Sequence, residues 1–244
     1  MSKTCFISVV RDFDLYNRVI ANNPNLGDAQ KIAFDNRAEN RPIPARYNEF
    51  LDGYDYSKPA WFVFCHEDFE PLESLEPLLE GLSPVSVYGT IGCKPFWLLG
   101  LGVHVNLGIM MECRWDGAGS PWVCGKSWGC KWRPRVDTVD CCCLIVHSSL
   151  VEKFHLRFDE NLSFNLYVED FCAMARVKHG VRCRVLPFRS LHHSGSPTTG
   201  RLYRHLPYLA KKYPRNCFCG TCAYFGAMPS LMRWWRRRRG YPVF

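Results

Sequence analysis

AWFVFC (60–65), followed at once by His66-Glu67-Asp68, is the most telling stretch of this chain. Six apolar residues stopped by charge have the length of a strand, not of a helix. The run is continuous rather than alternating, so both faces of the strand should be covered. Working outward, CFISVV (5–10) has the same character, and KIAFDN (31–36) is a further strand ending in Asp35-Asn36. Between those two, DLYNRVIANNP has helical spacing, with Leu15, Val19 and Ile20 on one side. IPARYNEFLDG reads as a helix with Gly53 at its end. Strand–helix alternation with continuous apolar strands predicts an α/β fold with a mostly parallel central sheet and helices on both faces. Right-handed crossovers then stack the first three strands as a Rossmann-like, nucleotide-binding half-fold.

Further along, ESLEPLLEGL reads as a short helix and PVSVYGTIG as a strand. Residues 92–135 are rich in Gly, Trp and Cys and read as hairpins and loops. VDTVDCCCLIV (136–146) reads as one strand, on which Cys141, Cys142 and Cys143 are small buried hydrophobes. SSLVEKFH is a helix with Ser148 or Ser149 as N-cap and Glu152 at capping-box distance. Another helix runs from about Val168 to His179 and is closed by Gly180. VRCRVLPF is a strand, LHHSGSPTTG a polar turn and RLYRHLPYLAKKYP a last helix.

Composition sets outer bounds. With 244 residues and 47% hydrophobic content the chain can bury a core, which excludes wholesale disorder. No uncharged run is long enough to span a bilayer, and MSKTCFISVVRDFD reads as a first strand rather than an export leader. A cytoplasmic location is therefore expected. Lys and Arg exceed Asp and Glu by 31 − 23 = 8. Five of those charges are Arg233, Arg236, Arg237, Arg238 and Arg239, beside Trp234 and Trp235. A nucleic-acid protein usually spreads its basic charge over a face, so no nucleic-acid partner is expected. Arginines with tryptophans suit an anionic membrane surface, and a solvated tail is the other reading. Among fourteen cysteines, Cys217, Cys219 and Cys222 have C-x-C-x-x-C spacing. They could hold a structural zinc with Cys124 or Cys130 as fourth ligand, or remain free thiols.

Ligands of parallel sheets bind off the carboxyl ends of the strands. Those ends carry Arg11-Asp12, Asp35-Asn36 and His66-Glu67-Asp68. The last group suits Mg²⁺ or Mn²⁺ on a diphosphate, and an acidic cap for the helix after Pro71 is the alternative. Glu169-Asp170 opens a helix, where acids either complement the dipole or act as a base. His192-His193 follows a strand and could reach a metal at the same rim.

In this order the pieces resemble the family 2-like glycosyltransferases of GT-A fold. The resemblance runs from about Cys5 to Ser196. It rests on ISVV, AFDN, ARYNEF, FVFCHEDFEP at the place of the family's D-x-D motif, VDCCCLIVHSSLVEKFHLRFDENLSFNLYVEDFCAMARVKHG, and the histidine pair before Ser194-Gly195. It implies a catalytic domain over 1–200, with a nucleotide-binding half (1–90) and an acceptor half (91–200), and a helical, basic extension over 201–244. It implies Val9 and Arg11 at the base and phosphates of a nucleotide-sugar donor, Asp35 on the nucleoside, and Arg46 or Asn48 lining the donor pocket. Glu67 belongs with the donor site, Asp68 matches the last acid of D-x-D and binds the metal, and Asp140 faces the donor sugar or acceptor. Glu169-Asp170 matches the family's E-D pair, whose aspartate is the base. His192 or His193 completes the metal site or touches the phosphates. The first acid of D-x-D is His66 here, which leaves metal dependence open.

The chemistry implied is inverting transfer of a sugar to a hydroxyl of a glycan or glycolipid, with one carboxylate removing the acceptor's proton. Tryptophan faces stack on sugars, so Trp97, Trp115 and Trp128, with Trp122 and Trp132, form the expected acceptor wall. Two other readings compete. One is a zinc-stabilised binding module with a basic docking tail. The other is a nucleotidyltransferase, which usually needs a Gly-rich loop after the first strand, and RDFDLYN has no glycine.

Overall fold

The computed structural model describes residues 3–98, 101–113, 121–126, 132–193 and 202–240. Strand β1 (Lys3–Val10) is followed by a one-turn helix α1 (Phe13–Tyr16), β2 (Gln30–Asp35), α2 (Ile43–Gly53) and β3 (Ala60–Cys65). Next come β4 (Phe69–Pro71), α3 (Glu76–Leu79) and β5 (Ser86–Gly89). The long strands β6 (Ile91–Leu98) and β7 (Leu101–Gly108) pair as a hairpin, followed by β8 (Met110–Glu112), β9 (Trp122–Val123), β10 (Arg135–Val136) and β11 (Thr138–Val139). Strand β12 (Cys143–His147) runs into α4 (Ser148–Phe154), and α5 (Tyr167–His179), β13 (Arg182–Val185) and β14 (Ser190–His192) follow. The described chain closes with α6 (Leu206–Lys212), the hairpin β15 (Cys217–Cys219) and β16 (Tyr224–Gly226), and α7 (Ser230–Arg238).

The central sheet has the order β10-β13-β5-β12-β3-β1-β2. Strands β2, β1, β3, β5 and β13 share one direction, while β12 and the edge strand β10 oppose them. The fold is thus mixed α/β around a mostly parallel sheet. The continuous apolar runs follow from burial on both faces. Along β3, Ala60, Phe62 and Phe64 join one core cluster and Trp61, Val63 and Cys65 the other. Strand β1 divides likewise, with Cys5, Ile7 and Val9 on one side and Phe6 and Val10 on the other. Thr4 and Ser8 are the buried polar exceptions, and the Ser8 hydroxyl meets the Cys65 thiol at 3.3 Å.

The departures from the sequence reading have local causes. The stretch 136–146 is not one strand. The Asp140 carboxylate accepts the Cys142 backbone N–H at 3.0 Å and turns the chain, and β11 pairs with β6 instead of entering the central sheet. Cys142 and Cys143 are buried, whereas Cys141 is half-buried. The cap of α4 is His147, whose Nδ1 accepts from Ser149 N–H, rather than either serine. Ser148 instead accepts the Ala60 N–H at 2.9 Å. The helix expected after β1 shortens to α1 plus a π-helical turn, Asn17–Ala21. Helix α6 is not the last element, because a hairpin and α7 follow it. Helix α5 ends as expected, with Gly180 left-handed at φ 66°.

Candidate functional site

The carboxyl ends of β1, β2 and β3 open onto a cavity of about 410 Å³, lined by Val9, Arg11, Asn36, Tyr47, His66 and Asp68 among others. The Glu67 carboxylate ties two of these ends together. It accepts the backbone N–H groups of Arg11 and of Asp12, the latter at 2.9 Å. Burial pushes its pKa up against those two bonds.

A second, four-stranded sheet, β4-β14-β8-β9, brings the metal-ligand residue types together. His192 pairs in register with Phe69 of β4, one residue past Asp68, and with Glu112 of β8. Asp68 Oδ1 lies 3.3 Å from His192 Nε2 and 3.9 Å from His66 Nδ1, and Glu112 Oε1 lies 3.5 Å from His192 Nδ1. One ligand atom from each of His66, Asp68 and His192 falls within 4.8 Å of the others. Burial would raise the Asp68 pKa, but His192 beside it holds it down to about 2. Burial would lower that of His192, and the Asp68 charge instead lifts it to about 10. His66 is lowered by burial, and its Nε2 is 3.0 Å from the Tyr167 hydroxyl. Both ring nitrogens of His192 and Asp68 Oδ1 lack a well-aligned hydrogen bond.

The structure brings together Val9, Arg11, His66, Glu67, Asp68 and His192 from the sequence-read set. His193 points elsewhere, with Nε2 2.6 Å from Glu70 and Nδ1 3.4 Å from Cys113. Asp35, paired at 2.6 Å with Arg37, is exposed outside the cavity lining. Arg46 pairs with Glu39 and Glu49, and buried Asn48 bonds Phe158 O and Glu160, so neither lines the cavity. Trp115 and Trp128 lie outside the described residues, and Trp97 is placed only as a backbone position in β6. Trp132 is exposed. Sequence reasoning missed Glu112, Tyr47 and Tyr167. Nothing in MMEC marks Glu112, because only strand pairing carries it to His192.

The acidic pair of α5 divides. Neighbouring helical residues diverge by about 100°. Asp170 turns toward α6, accepting from the Tyr213 hydroxyl at 2.7 Å and pairing with Lys212 Nζ at 2.8 Å. Glu169 turns toward Asp140 and the C-terminal hairpin. A Cβ on Gly220 would come within 3.3 Å of its Cγ. The adjacent Thr221 hydroxyl donates to Asp140. Glu169 Oε2 is buried with no hydrogen-bond partner among the described residues. Burial first, and then the Asp140 charge, raise its pKa well above the carboxylate range.

A larger cavity, about 720 Å³, lies at the opposite ends of β5 and β13. Arg133, Lys153, Arg182 and Arg184 line it, with no acid among its described lining residues. No helix among the described residues is long and apolar enough to cross a membrane.

No protein-family profile matches the sequence, and no curated protein does. Among solved structures, the chain is similar to the crystal structure of S. aureus TarS 1-349, with a TM-score of 0.45 and 10% identity. That alignment covers 78% of this chain and 60% of that one, so the chain spans less than two thirds of the TarS structure. It is also similar to A197 from STIV, with a TM-score of 0.37 and 16% identity over 78% of this chain and 85% of that one.

Proposed function

We propose that the protein is a glycosyltransferase, moving a sugar from a nucleoside-diphosphate donor to a hydroxyl of a glycan or glycolipid, with inversion. One observation carries this reading. The His66–Asp68–His192 cluster forms at the rim where three parallel strands end on a cavity, the place where such sheets bind nucleotides. A mixed imidazole and carboxylate set with poorly paired buried atoms fits a divalent cation, Mn²⁺ better than Mg²⁺. His66, Asp68 and His192 would hold that cation, which neutralises charge on the leaving diphosphate. Val9 and Arg11 would flank the nucleoside and phosphates. Tyr167 orients His66 through its hydroxyl. Glu169, rather than Asp170, would take the acceptor's proton. Its Oε2 has no hydrogen-bond partner among the described residues and lies beside Asp140, whereas the carboxylate of Asp170 is already occupied on both oxygens.

A thermal-shift screen of nucleoside diphosphates with and without Mn²⁺ tests the donor site. A ligand at a hundred times its Kd stabilises the fold by about 2.7 kcal/mol. Asp68→Ala should weaken diphosphate binding at least about tenfold in Mn²⁺ and little in EDTA, because the carboxylate acts through the cation and would itself repel phosphate. No stabilisation by any nucleoside diphosphate, with or without Mn²⁺, would remove the donor site.

Peripheral contact with an anionic membrane belongs to the same proposal. In α7 Met232 is the one buried residue, while Trp234 and Trp235 are exposed and carry Arg238 and Arg239 over their rings. Deleting residues 233–244 should leave Tm nearly unchanged and weaken binding to anionic liposomes. Equal liposome binding by the truncated chain would refute the contact.

A further inference from the structure

We propose that Cys93, His104, Cys217 and Cys219 bind one structural zinc ion that clamps the C-terminal hairpin onto the β6–β7 hairpin. Cys93 and Cys219, 126 residues apart, bring their sulfurs to 2.7 Å within a buried environment. One ligand atom from each of Cys93, His104 and Cys219 falls within 4.8 Å of the others. Two thiolates and an imidazole are the donor set that zinc favours over hard cations.

The ligands are placed by backbone pairing. Cys93 lies opposite Asn106 and Pro95 opposite His104, so Cys93 and His104 share one face of the β6–β7 hairpin. Cys219 is held at both backbone ends, its carbonyl accepting from the Thr138 hydroxyl at 2.8 Å and its N–H donating to Asp137 at 3.3 Å. Cys217 is two residues away on β15, hence on the same face, and it packs against the buried cluster of Cys93, Cys219, Tyr224, Met228 and Met232. Its sulfur lies outside the three-residue cluster and would swing inward to supply the fourth ligand. Zn–S bonds of about 2.3 Å in a tetrahedron put sulfurs about 3.8 Å apart, so the Cys93–Cys219 pair opens by about 1 Å on binding. The three thiols release their protons to solvent, so affinity falls at acid pH.

This ligand set differs from the C-x-C-x-x-C reading. Cys222 is exposed beyond Thr221, and Cys124 packs with the opposite core cluster. Cys130 lies outside the described residues. The clamp also has a consequence for the neighbouring residues. The turn it holds contains Gly220, packed on Glu169, and Thr221, bonded to Asp140.

The test uses the untagged full-length chain, purified under reducing conditions from zinc-supplemented culture. Elemental analysis should find about one zinc per chain. Co²⁺ titration of the demetallated protein should give the charge-transfer and tetrahedral d–d bands of cobalt bound by thiolates. His104→Asn and Cys217→Ser should each weaken binding by at least about a hundredfold, more than loss of a group that merely orients a ligand would cost, while Cys222→Ser and Cys124→Ser keep the metal. Chelation should raise amide exchange across residues 217–226. Parent-like metal affinity in His104→Asn or Cys217→Ser, or loss of metal in Cys222→Ser, would overturn the ligand set. A reduced parent that takes up neither zinc nor Co²⁺, or a native Cys93–Cys219 disulfide found by peptide mapping, would overturn the site.

Discussion

Glu169→Gln should lower turnover by about 10²–10⁴-fold, the usual worth of a positioned general base, while donor binding stays near that of the parent. As a free energy this is about 3–5 kcal/mol of transition-state stabilisation. The amide keeps the shape of the side chain and cannot accept a proton. Stability should move the other way. The folded-state pKa of Glu169 is raised by burial and by Asp140, so its favourable contribution is complete below the unfolded carboxylate value and is lost as pH rises through the folded one. An amide never ionises there, so the variant should be no less stable than the parent at neutral pH and more stable at higher pH. A residue whose replacement stabilises the fold while abolishing turnover is placed for chemistry rather than for folding. The parent's turnover should climb with pH through the same raised pKa, because the base must be ionised to act. Normal turnover by Glu169→Gln, together with an inactive but stable Asp170→Asn, would return the base to the neighbouring position.

How far the sequence could carry this reading depends on the range of the interactions involved. The apolar runs of β1 and β3 and the left-handed glycine closing α5 are local signals, and the structure keeps them. The rim at His66-Glu67-Asp68 was legible because a strand that ends in charge announces its own edge. The companions of that rim were not. Glu112 reaches His192 by pairing of β8 with β14, and Cys93 reaches Cys219 across 126 positions. The direction of each acid in Glu169-Asp170 was equally hidden. Composition and spacing are the same whichever of the two faces Asp140, and only the packing of α6 and the 217–226 hairpin on α5 separates them. The broken stretch 136–146 shows a local signal overridden. Its residues suit a strand, but the side chain of Asp140 competes for the backbone N–H of Cys142 and breaks it.

Lys212→Met should destabilise the fold by about 3 kcal/mol at neutral pH, the low end of the cost of removing one partner from a buried pair, because Lys212 itself is only half-buried. Lys212, in the last turn of α6, serves both Asp170 and Asp159. Asp170 is 1% exposed, and burial already holds its pKa above the usual carboxylate value, so without the ammonium its charge keeps little beyond the Tyr213 hydroxyl among the described residues. Burial works against the Lys212 ammonium, and the two carboxylates more than offset it, so its pKa is raised. The stability it confers is therefore complete below the unfolded lysine pKa and lost as pH rises through the folded one. The loss in the variant should shrink in acid, where Asp170 and Asp159 take up protons and no longer need the cation. For a chain of this size the neutral-pH loss corresponds to a fall in Tm of about 10 °C. Adding Asp170→Asn to Lys212→Met should recover more than half of the loss, since it removes the stranded charge. Asp170→Asn alone should cost stability while leaving turnover near the parent value, the reverse of Glu169→Gln. A Tm for Lys212→Met within about 2 °C of the parent, or no recovery in the double variant, would mean that the pair does not hold α6 to α5.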